Sequence, residues 1–440
     1  MGRHLRPAPA PEQMDVVSLA HDGRGVARVD GKTVFVDGAL PGETVIAVRR
    51  SRHRRYDEAS VQQVLVASPD RVEPGCSHFG TCGGCVLQHL DGTRQVEAKQ
   101  AHLAEQFSRL AGVEPASWLE PLRGPMWAYR RRARLGVKHV PKKGRVLVGF
   151  RERAKPYVTD VRRCPVLAAP VGDLVGALGD LVGQLSIRDR LPQIEVAVAD
   201  RVTALVARVL DPPNGADGEL LAGFAARHGV EFYLQPGGLD TVAPLAVPAT
   251  PLSYRLPQFD VEISFAPSDF IQVNADINAQ AVSLALSLLE PSASDTVLDL
   301  FCGLGNFTLP LARRAARVIG VEGEAGLVAR ARDNARANAI HNAEFHVADL
   351  AGDPGELPWA RGPCQRVLLD PPRAGAAGVL PLIGRLRPAR IVYVSCHPAS
   401  LARDAGVLVR ELGFRLRAAG VMDMFPHTAH VESIAVFEDA

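Results

Sequence analysis

The feature that most constrains the fold is a change of hydrophobic pattern after Ala275. From there, short apolar strands alternate with amphipathic helices, as at 295–301, 317–322 and 391–395. Such alternation is typical of an α/β fold with a doubly wound, Rossmann-like parallel sheet. The carboxyl ends of parallel strands share one edge of the sheet, and ligands bind at that edge. We therefore expect a ligand site where these strands end.

A glycine-rich turn follows the first of these strands. It reads Cys302-Gly-Leu-Gly-Asn306, and its two glycines let the backbone approach a ligand closely. Thr308 replaces the third glycine of a dinucleotide fingerprint, which favours a cofactor without phosphates. Glu322 ends the next strand, where a carboxylate meets ribose hydroxyls, and Asp349 closes a further strand, where an adenine edge would lie. Taken singly, each acid is more typical of a helix cap or a surface position than of a cofactor site, but their order along the chain favours the site.

Two later strands end in groups that can do chemistry. Asp370 ends one strand and is followed by Pro371-Pro372-Arg373, and Cys396 follows the strand at 391–395. We interpret Cys396 as a nucleophile and Glu432, on the last predicted strand, as a general base. Asp370 and Arg373 are expected to hold the substrate and the cofactor. The alternative for Cys396 is an inert buried thiol, the commoner state of cysteine, which its position at the ligand edge disfavours.

The segments before Ala275 have other patterns. Residues 14–68 contain five short alternating strands separated by glycine turns, which predicts a small OB-like barrel. A helix is expected from about Thr93 to Ala111. Residues 125–267 are mixed in pattern and mostly strand-like, which predicts an α+β region.

Positive charge is concentrated in two places although the net charge is only +2. Residues 121–156 carry twelve Lys or Arg against one acid, and five arginines lie between residues 49 and 55. Such clusters are typical of a surface that binds a polyanion. A solvated basic loop is the alternative. No run of about 18 apolar residues occurs, so a cytoplasmic protein that does not bind membranes is expected.

Four strings in the C-terminal half resemble one known family. They are LDLFCGLGNFTLPLA at 298–312, LLDPPRAGAAG at 368–378, IVYVSCHPASLARD at 391–404 and DMFPHTAHVES at 423–433. They resemble the bacterial RNA uracil-C5 methyltransferases, which use S-adenosylmethionine, and in particular those that act on 23S ribosomal RNA. The resemblance covers essentially the whole chain.

The resemblance implies three domains. These are a TRAM barrel at 12–70, a central iron–sulfur domain at 75–92 and 125–267, and a methyltransferase domain at 93–124 and 268–440. It implies S-adenosylmethionine as the cofactor and a specific uridine of 23S ribosomal RNA as the substrate. We also expect the protein to be a monomer, although nothing in the sequence determines its oligomeric state. The implied cofactor contacts are Gln272, Phe301, Asn306, Glu322, Asp349 and Asp370.

The resemblance also implies how the reaction runs. Carbon 5 of uracil is a poor nucleophile, so Cys396 would first add to carbon 6 and turn carbon 5 into an enolate carbon. Carbon 5 then takes the methyl group, and Glu432 removes its proton before the thiol leaves. One residue departs from the family pattern, because most relatives carry Asn after the nucleophile and this chain carries His397.

The other six cysteines divide into two groups. Cys302 and Cys364 are expected to be inert. Cys76, Cys82 and Cys85 have C-x5-C-x2-C spacing, and Cys164 lies far downstream. Four thiolates suit a structural zinc ion and a [4Fe–4S] cluster about equally on spacing alone, and the family resemblance favours the cluster.

Two other functions remain open from the sequence. Some iron–sulfur relatives act on transfer RNA, so the RNA substrate is an alternative within the same chemistry. A non-catalytic RNA-binding or assembly factor that keeps the fold is an alternative of another class. The intact Cys396, Glu432 and cofactor strings argue against that second alternative.

Overall fold

The computed structural model describes residues 10–355 and 357–439. Contacts between residues divide this part of the chain into two compact units. The first contains residues 10–99, Glu152–Lys155 and Pro426–His430. The second contains the remaining described residues, including both large sheets and the candidate active site. The three-domain boundaries expected from the sequence stay a prediction.

A closed five-stranded barrel forms most of the first unit. Its strands are β1 (Glu12–Leu19), β2 (Gly25–Val29), β3 (Lys32–Asp37), β4 (Thr44–Arg52) and β5 (Tyr56–Val66), in the order β1-β2-β3-β5-β4. Alternate side chains point inward, among them Val16, Val34 and Ala47, and form a small apolar core. Gly25 is required because a Cβ atom there would lie 2.7 Å from Val16. The OB-like barrel predicted from the sequence is confirmed.

The predicted helix after the barrel ends earlier than expected. Helix α1 covers Gly92–Gln106, and the chain then continues as a π-helical turn at Phe107–Ala111. Gly112 ends the turn with a φ angle of 62°. The spacing of apolar residues does not distinguish the two kinds of helix, because both present Phe107 and Ala111 to the core. The short strand β6 (Ser117–Trp118) follows.

A six-stranded mixed sheet fills the middle of the chain. It consists of β7 (Arg132–Val140), β8 (Arg145–Gly149), β9 (Gln193–Val198), β10 (Thr203–Arg208), β11 (Val230–Gln235) and β12 (Ala243–Pro244), in the order β12-β11-β10-β9-β7-β8. Helices α2 (Val171–Gln184) and α3 (Gly215–His228) belong to this region. The α3 helix begins with a capping box between Asn214 and Asp217. A separate hairpin, β13 (Ser253–Leu256) with β14 (Val261–Ser264), follows.

An eight-stranded sheet carries the C-terminal part of the chain. Its new strands are β15 (Thr296–Leu300), β16 (Arg317–Glu322), β17 (Ala343–Val347), β18 (Arg366–Leu369), β19 (Arg390–Ser395), β20 (Arg415–Met422) and β21 (Glu432–Glu438). The order is β17-β16-β15-β18-β19-β21-β20-β6. Strands β15 to β19 are parallel, and β21 lies antiparallel between β19 and β20.

Helices connect these strands and cover the sheet. They are α4 (Ala275–Leu289), α5 (Thr308–Ala312), α6 (Ala325–Ala337), α7 (Leu380–Leu386) and α8 (Pro398–Arg410). Short 3₁₀ turns lie at Pro141–Lys143, Leu239–Thr241, Pro257–Phe259, Pro358–Ala360 and Ala377–Val379. The central strands are buried on both faces, which explains their continuous apolar runs. The doubly wound sheet expected from the sequence is confirmed.

The strand β6 joins this sheet at the edge, beside β20. This pairing agrees with the assignment of residues 93–124 to the methyltransferase domain, although it leaves the exact boundary a prediction. No helix in the described ranges is both long and apolar enough to cross a membrane.

Candidate active site

The cofactor end of the site lies at the switch point of the large sheet. Strand β15 pairs with β16 on one side and with β18 on the other. The strand order therefore reverses at β15, because the strands that follow it in sequence lie on both sides of it. Phe301 follows β15 with a φ angle of 67°, and its N–H donates to the carbonyl of Val321 over 2.8 Å. Gly305 has a φ angle of 92°, and a Cβ atom there would approach Leu309 to 3.1 Å. The turn therefore requires glycine at 305.

A cavity of about 510 Å³ opens at this edge. Seven of the eight residues predicted for cofactor binding and catalysis line it: Gln272, Phe301, Asn306, Glu322, Asp370, Cys396 and Glu432. These residues come from six separate stretches of the chain. The cavity therefore has the size and the location expected for a bound nucleoside beside a substrate base.

The acid at the end of β16 is held by backbone amides. The Glu322 carboxylate accepts hydrogen bonds from the N–H groups of Gly303 over 3.2 Å, Gly323 over 2.7 Å and Glu324 over 3.1 Å. These bonds hold the carboxylate next to the glycine-rich turn at 302–306. It is therefore oriented in advance to accept further hydrogen bonds from a ligand.

Asn306 is also fixed before any ligand arrives. Its side-chain amide pairs with that of Asn278 over 2.9 and 3.0 Å, and its oxygen accepts a hydrogen bond from the Tyr254 hydroxyl over 2.9 Å. Tyr254 lines the cavity as well, although it was not among the residues predicted from the sequence. No local motif marks Tyr254, because it reaches the site from the separate β13–β14 hairpin.

Asp349 lies apart from the other predicted cofactor contacts. Its side chain is exposed and accepts a hydrogen bond from the N–H of Ala351 over 2.9 Å. Within the described part of the chain, it is not among the residues that line the cavity. A role for Asp349 in holding adenine stays a prediction.

Strand pairing brings the two predicted catalytic residues together. Strands β19 and β21 run antiparallel with Ser395 opposite Ser433, so the next step of the same ladder sets Cys396 opposite Glu432. Directly opposed residues point to the same face of a sheet, and both of these line the cavity. The Glu432 side chain is buried, and Cys396 is partly exposed.

The electrostatic environment of the thiol is negative. The pKa of Cys396 is raised to about 11, first by burial and then by the charges of Glu432 and Asp370, and Arg373 opposes them. Burial also raises the pKa of the Asp370 carboxyl well above its ordinary range, with a contribution from Glu432. Glu432, Asp370 and the Cys396 thiol therefore share a desolvated space, and a cationic ligand would stabilise negative charge on these groups.

His397 has a structural role next to Cys396. Its Nδ1 atom accepts a hydrogen bond from the N–H of Ser400 over 3.3 Å and caps the N-terminus of α8. Asparagine is a preferred residue at such caps, which explains how histidine can replace it here. Nδ1 must be unprotonated to accept, so the neutral ring carries its proton on Nε2.

The cysteines outside the active site differ in their surroundings. Burial raises the pKa of Cys302 well above its ordinary range and that of Cys364 to about 11, as expected for inert thiols. In the loop of the first unit that contains Cys76, Cys82 and Cys85, the Gly84 N–H donates to the Cys82 sulfur over 3.4 Å. Across residues 10–355 and 357–439, no group of three or more His, Cys, Asp or Glu side chains is arranged to hold a metal ion. The predicted cluster at Cys76, Cys82, Cys85 and Cys164 therefore stays a prediction.

Many cations of the basic segment at 121–156 are paired with carboxylates. Seven of its twelve Lys and Arg residues form ion pairs: Arg131, Arg132, Arg134, Lys143, Arg145, Arg153 and Lys155. All but one of these carboxylates lie outside the segment in sequence, for example Asp160 and Asp200. A count of charges along the chain therefore overstates the positive field of this segment.

Comparison with known proteins agrees with this geometry. The model of the tRNA (uracil-5-)-methyltransferase family matches residues 255–352 and 359–439, and that of the TRAM domain matches residues 15–47. The 23S rRNA (uracil(1939)-C(5))-methyltransferase RlmD of Alkalilimnicola ehrlichii is 55% identical, with 100% of this chain and 99% of that protein covered. The RlmD protein of Methylococcus capsulatus is 53% identical, with 98% of each covered.

A solved structure supports the same assignment. The tRNA (uracil-54, C5)-methyltransferase of Pyrococcus abyssi, in complex with S-adenosyl-L-homocysteine, has a TM-score of 0.73 and 25% identity. It matches 97% of this chain and 100% of its own. With its barrel, its sheet and its full-length relatives, this chain belongs to the tRNA (uracil-5-)-methyltransferase family.

Proposed function

We propose that this methyltransferase transfers the methyl group of S-adenosylmethionine to carbon 5 of a uridine in 23S ribosomal RNA. The observation that carries the proposal is the convergence of Cys396, Glu432 and five of the predicted cofactor residues on one cavity. The RNA class rests on the RlmD relatives, which match over nearly their full length. Their names specify uracil 1939, and we propose the equivalent position here.

The cavity suits S-adenosylmethionine in charge and in shape. Bound there, S-adenosylmethionine supplies an electrophilic methyl group on a positively charged sulfur. Glu322, held by three amides, would accept hydrogen bonds from ribose hydroxyls, and the acidic lining around Asp370 would favour the positive charge. No cluster of lysines or arginines for a pyrophosphate lines the cavity among the described residues, where Arg373 is the one cation.

Cys396 and Glu432 are proposed to act in turn on the uracil ring. The Cys396 thiolate adds to carbon 6, and the electron pair of the double bond makes carbon 5 an enolate carbon. Carbon 5 accepts the methyl group as the bond between that methyl and the sulfonium sulfur breaks, which leaves S-adenosyl-L-homocysteine. The Glu432 carboxylate then takes the proton from carbon 5. The electron pair re-forms the double bond, and the carbon–sulfur bond breaks so that the thiolate leaves.

Methyl transfer to purified RNA tests the substrate. Wild type and Cys396→Ser are incubated with labelled S-adenosylmethionine and either unmodified 23S ribosomal RNA or transfer RNA. We expect label only in the ribosomal RNA, at the position equivalent to 1939, and none with the variant. Label only in transfer RNA, the substrate named for the Pyrococcus abyssi structure, would contradict the RNA assignment. Label in neither RNA would favour a non-catalytic binding protein.

A second assay tests the covalent step and the base. RNA with 5-fluorouridine at the target should form a stable adduct with the wild type, because fluorine cannot leave as a proton does. Glu432→Gln should accumulate a methylated adduct on ordinary RNA, since the adduct forms but its proton is not removed. Release of product by Glu432→Gln at the wild-type rate would exclude Glu432 as the base.

We also propose a [4Fe–4S] cluster held by Cys76, Cys82, Cys85 and Cys164. The spacing and the amide donated to the Cys82 sulfur support it, since such amides stabilise thiolates. Anaerobically purified protein should contain about four iron and four sulfide per chain, and a Cys82→Ser variant should lose both. One zinc per chain without sulfide would instead indicate a structural zinc site.

One face of the barrel is suited to single-stranded RNA. The Arg24 guanidinium lies 4.6 Å from the centre of the Phe35 ring, and the rings of Phe35 and Tyr56 are 5.5 Å apart. His53 stacks on Tyr56 at 4.4 Å, and the exposed Arg54 is close in sequence. Aromatic rings among cations are typical of surfaces on which unpaired bases stack. Tyr56→Ala should weaken RNA binding, whereas Val17→Ala, an exposed apolar position on the same barrel, should not.

A further inference from the structure

A buried carboxylate outside the cavity joins two parts of the active site. Asp404 lies on α8 and is fully buried. One of its oxygens accepts hydrogen bonds from the Tyr393 hydroxyl and from the Ala376 N–H, each over 2.7 Å. Its other oxygen accepts a bond from the Arg403 guanidinium over 2.8 Å. Asp404 does not touch the cavity and has no role in the reaction described above.

The first part that Asp404 holds is the segment after β18. Asp370, Pro371, Pro372 and Arg373 of this segment line the cavity, and Ala376 ends it. Arg403, paired with Asp404, also donates to the carbonyl of Ala374 over 2.8 Å. The backbone of the segment is therefore bonded at Ala374 and at Ala376 to one charged pair on α8.

Gly375 shows how closely this segment approaches Asp404. A Cβ atom at Gly375 would lie 2.5 Å from the Arg403 guanidinium and 2.6 Å from the Asp404 carboxylate. The residue also has a φ angle of 84°, which side chains other than glycine rarely adopt. The contact leaves no space for a side chain.

The second part that Asp404 holds is the nucleophile. Tyr393 lies three residues before Cys396 on β19, and α8 begins two residues after Cys396. Tyr393 is fully buried, and its hydroxyl also accepts a bond from the Ala376 N–H over 3.0 Å. Burial and the charge of Asp404 raise the pKa of this hydroxyl, so it remains a donor. The carboxylate thus bonds to the strand before Cys396 and belongs to the helix after it.

We propose that Asp404 is a positioning residue that sets the placement of the Asp370–Arg373 segment relative to Cys396. The inference rests on the proposed function, because it concerns the geometry of that reaction. Buried hydrogen bonds to a charged group are strong, and a partner left unsatisfied is costly, so the three bonds favour one arrangement of the two parts. Without Asp404, the substrate would meet the thiol in several arrangements, of which few are reactive.

Kinetics of Asp404→Asn test the proposal. The variant keeps the shape and removes the charge. We expect kcat and the rate of adduct formation with 5-fluorouridine RNA to fall roughly 10- to 100-fold. The KM for S-adenosylmethionine should rise by a smaller factor than kcat falls, because Glu322 and the glycine turn are untouched and Asp370 alone among the predicted cofactor contacts lies in the displaced segment. Tyr393→Phe, which removes one of the three bonds, should show a smaller loss of the same kind.

Asp217→Asn is the matched control. Asp217 is also a buried carboxylate with several hydrogen bonds, to Ser186 and Asn214, but it caps α3 far from the cavity lining. The Asp217→Asn variant should have lower thermal stability than the wild type and an unchanged kcat. If Asp404→Asn and Tyr393→Phe lower only stability, as the control does, Asp404 is merely structural and the inference is wrong. A wild type without methylation or adduct would overturn the proposed function, and the inference with it.

Discussion

At the scale of single residues, the proposed nucleophile Cys396 is not activated by its own surroundings. Burial, together with the charges of Glu432 and Asp370, raises the pKa of the Cys396 thiol to about 11. Cysteines that react without a cofactor usually lie near positive charge instead. The site is therefore suited to a thiol that stays protonated until a cationic cofactor and the substrate have bound.

Removal of one acid should make this thiol more acidic. In Glu432→Gln, the pKa of Cys396 should fall from about 11 toward the ordinary value near 9, because a negative charge no longer opposes the thiolate. The pH dependence of alkylation by iodoacetamide measures it, with Cys396→Ser to identify the reacting thiol. Glu324→Gln, an exposed acid on the same side of the sheet, should leave the pKa where it is. An unchanged pKa in Glu432→Gln would contradict this account of the thiol.

The cap at His397 makes a second prediction for a single residue. His397→Asn should keep both activity and stability, since asparagine accepts the same hydrogen bond from Ser400. His397→Ala should lower the free energy of unfolding by about 1 kcal/mol, the usual cost of a lost cap. Urea denaturation compares the three proteins. Equal stability of wild type and His397→Ala would mean that the cap contributes nothing.

At the scale of elements, strand β15 contains a buried acid that makes its stability depend on pH. Asp299 is fully buried, one of its oxygens accepts a bond from Thr308 over 2.5 Å, and the other has no partner in the described structure. Burial raises its pKa to about 7, although the bond from Thr308 acts against this. In the unfolded chain the same group releases its proton near pH 4.

This difference fixes the sign of the pH effect. Between pH 4 and 7 the folded protein holds a proton that the unfolded chain releases, so stability falls as the pH rises through this window. Asp299→Asn cannot ionise, and the slope should be smaller in this variant. Free energies of unfolding from pH 4 to 8 measure both slopes. Parallel curves for the two proteins would show that Asp299 is not responsible.

The elements also show what the sequence could and could not predict. Apolar runs and glycine turns predicted the barrel, the large sheet and the residues at its strand ends. The π-helical turn at Phe107–Ala111 was missed because both kinds of helix bury the same residues. Tyr254 was missed because its partner, Asn306, is fifty-two residues away in sequence. Asp349 was predicted to close a strand, but β17 ends two residues earlier at Val347, and the Asp349 side chain is bonded to its own loop and is not part of the cavity lining.

At the scale of the whole molecule, charge in the sequence and charge in the fold differ. Residues 121–156 contain twelve cations, but at least seven form ion pairs, mostly with acids from other segments. Only folding reveals these partners, because they are distant along the chain. An RNA phosphate that binds at this segment must compete with a carboxylate for several of these side chains.

Release of paired cations should strengthen RNA binding. Asp160 forms ion pairs with Lys143 and Arg145. In Asp160→Asn both cations become available, so we expect a lower Kd for RNA and a salt dependence steeper by about one in the log–log slope. Filter binding at several salt concentrations measures this. Asp240→Asn changes the net charge equally at an exposed position that lacks such pairs in the described structure, and should alter the slope less. Identical slopes for the two variants would indicate that RNA does not use this segment.

The antiparallel insertion of β21 also determines which changes in length the chain can tolerate. Cys396 follows the end of one strand and Glu432 begins its neighbour, so their alignment depends on the register of a single ladder. A one-residue deletion within β21 would turn every following side chain to the opposite face of the sheet. A shift of the strand by one residue would restore those faces, but it would move Glu432 out of line with Cys396. Homologous chains should therefore vary in length between these strands and not within them.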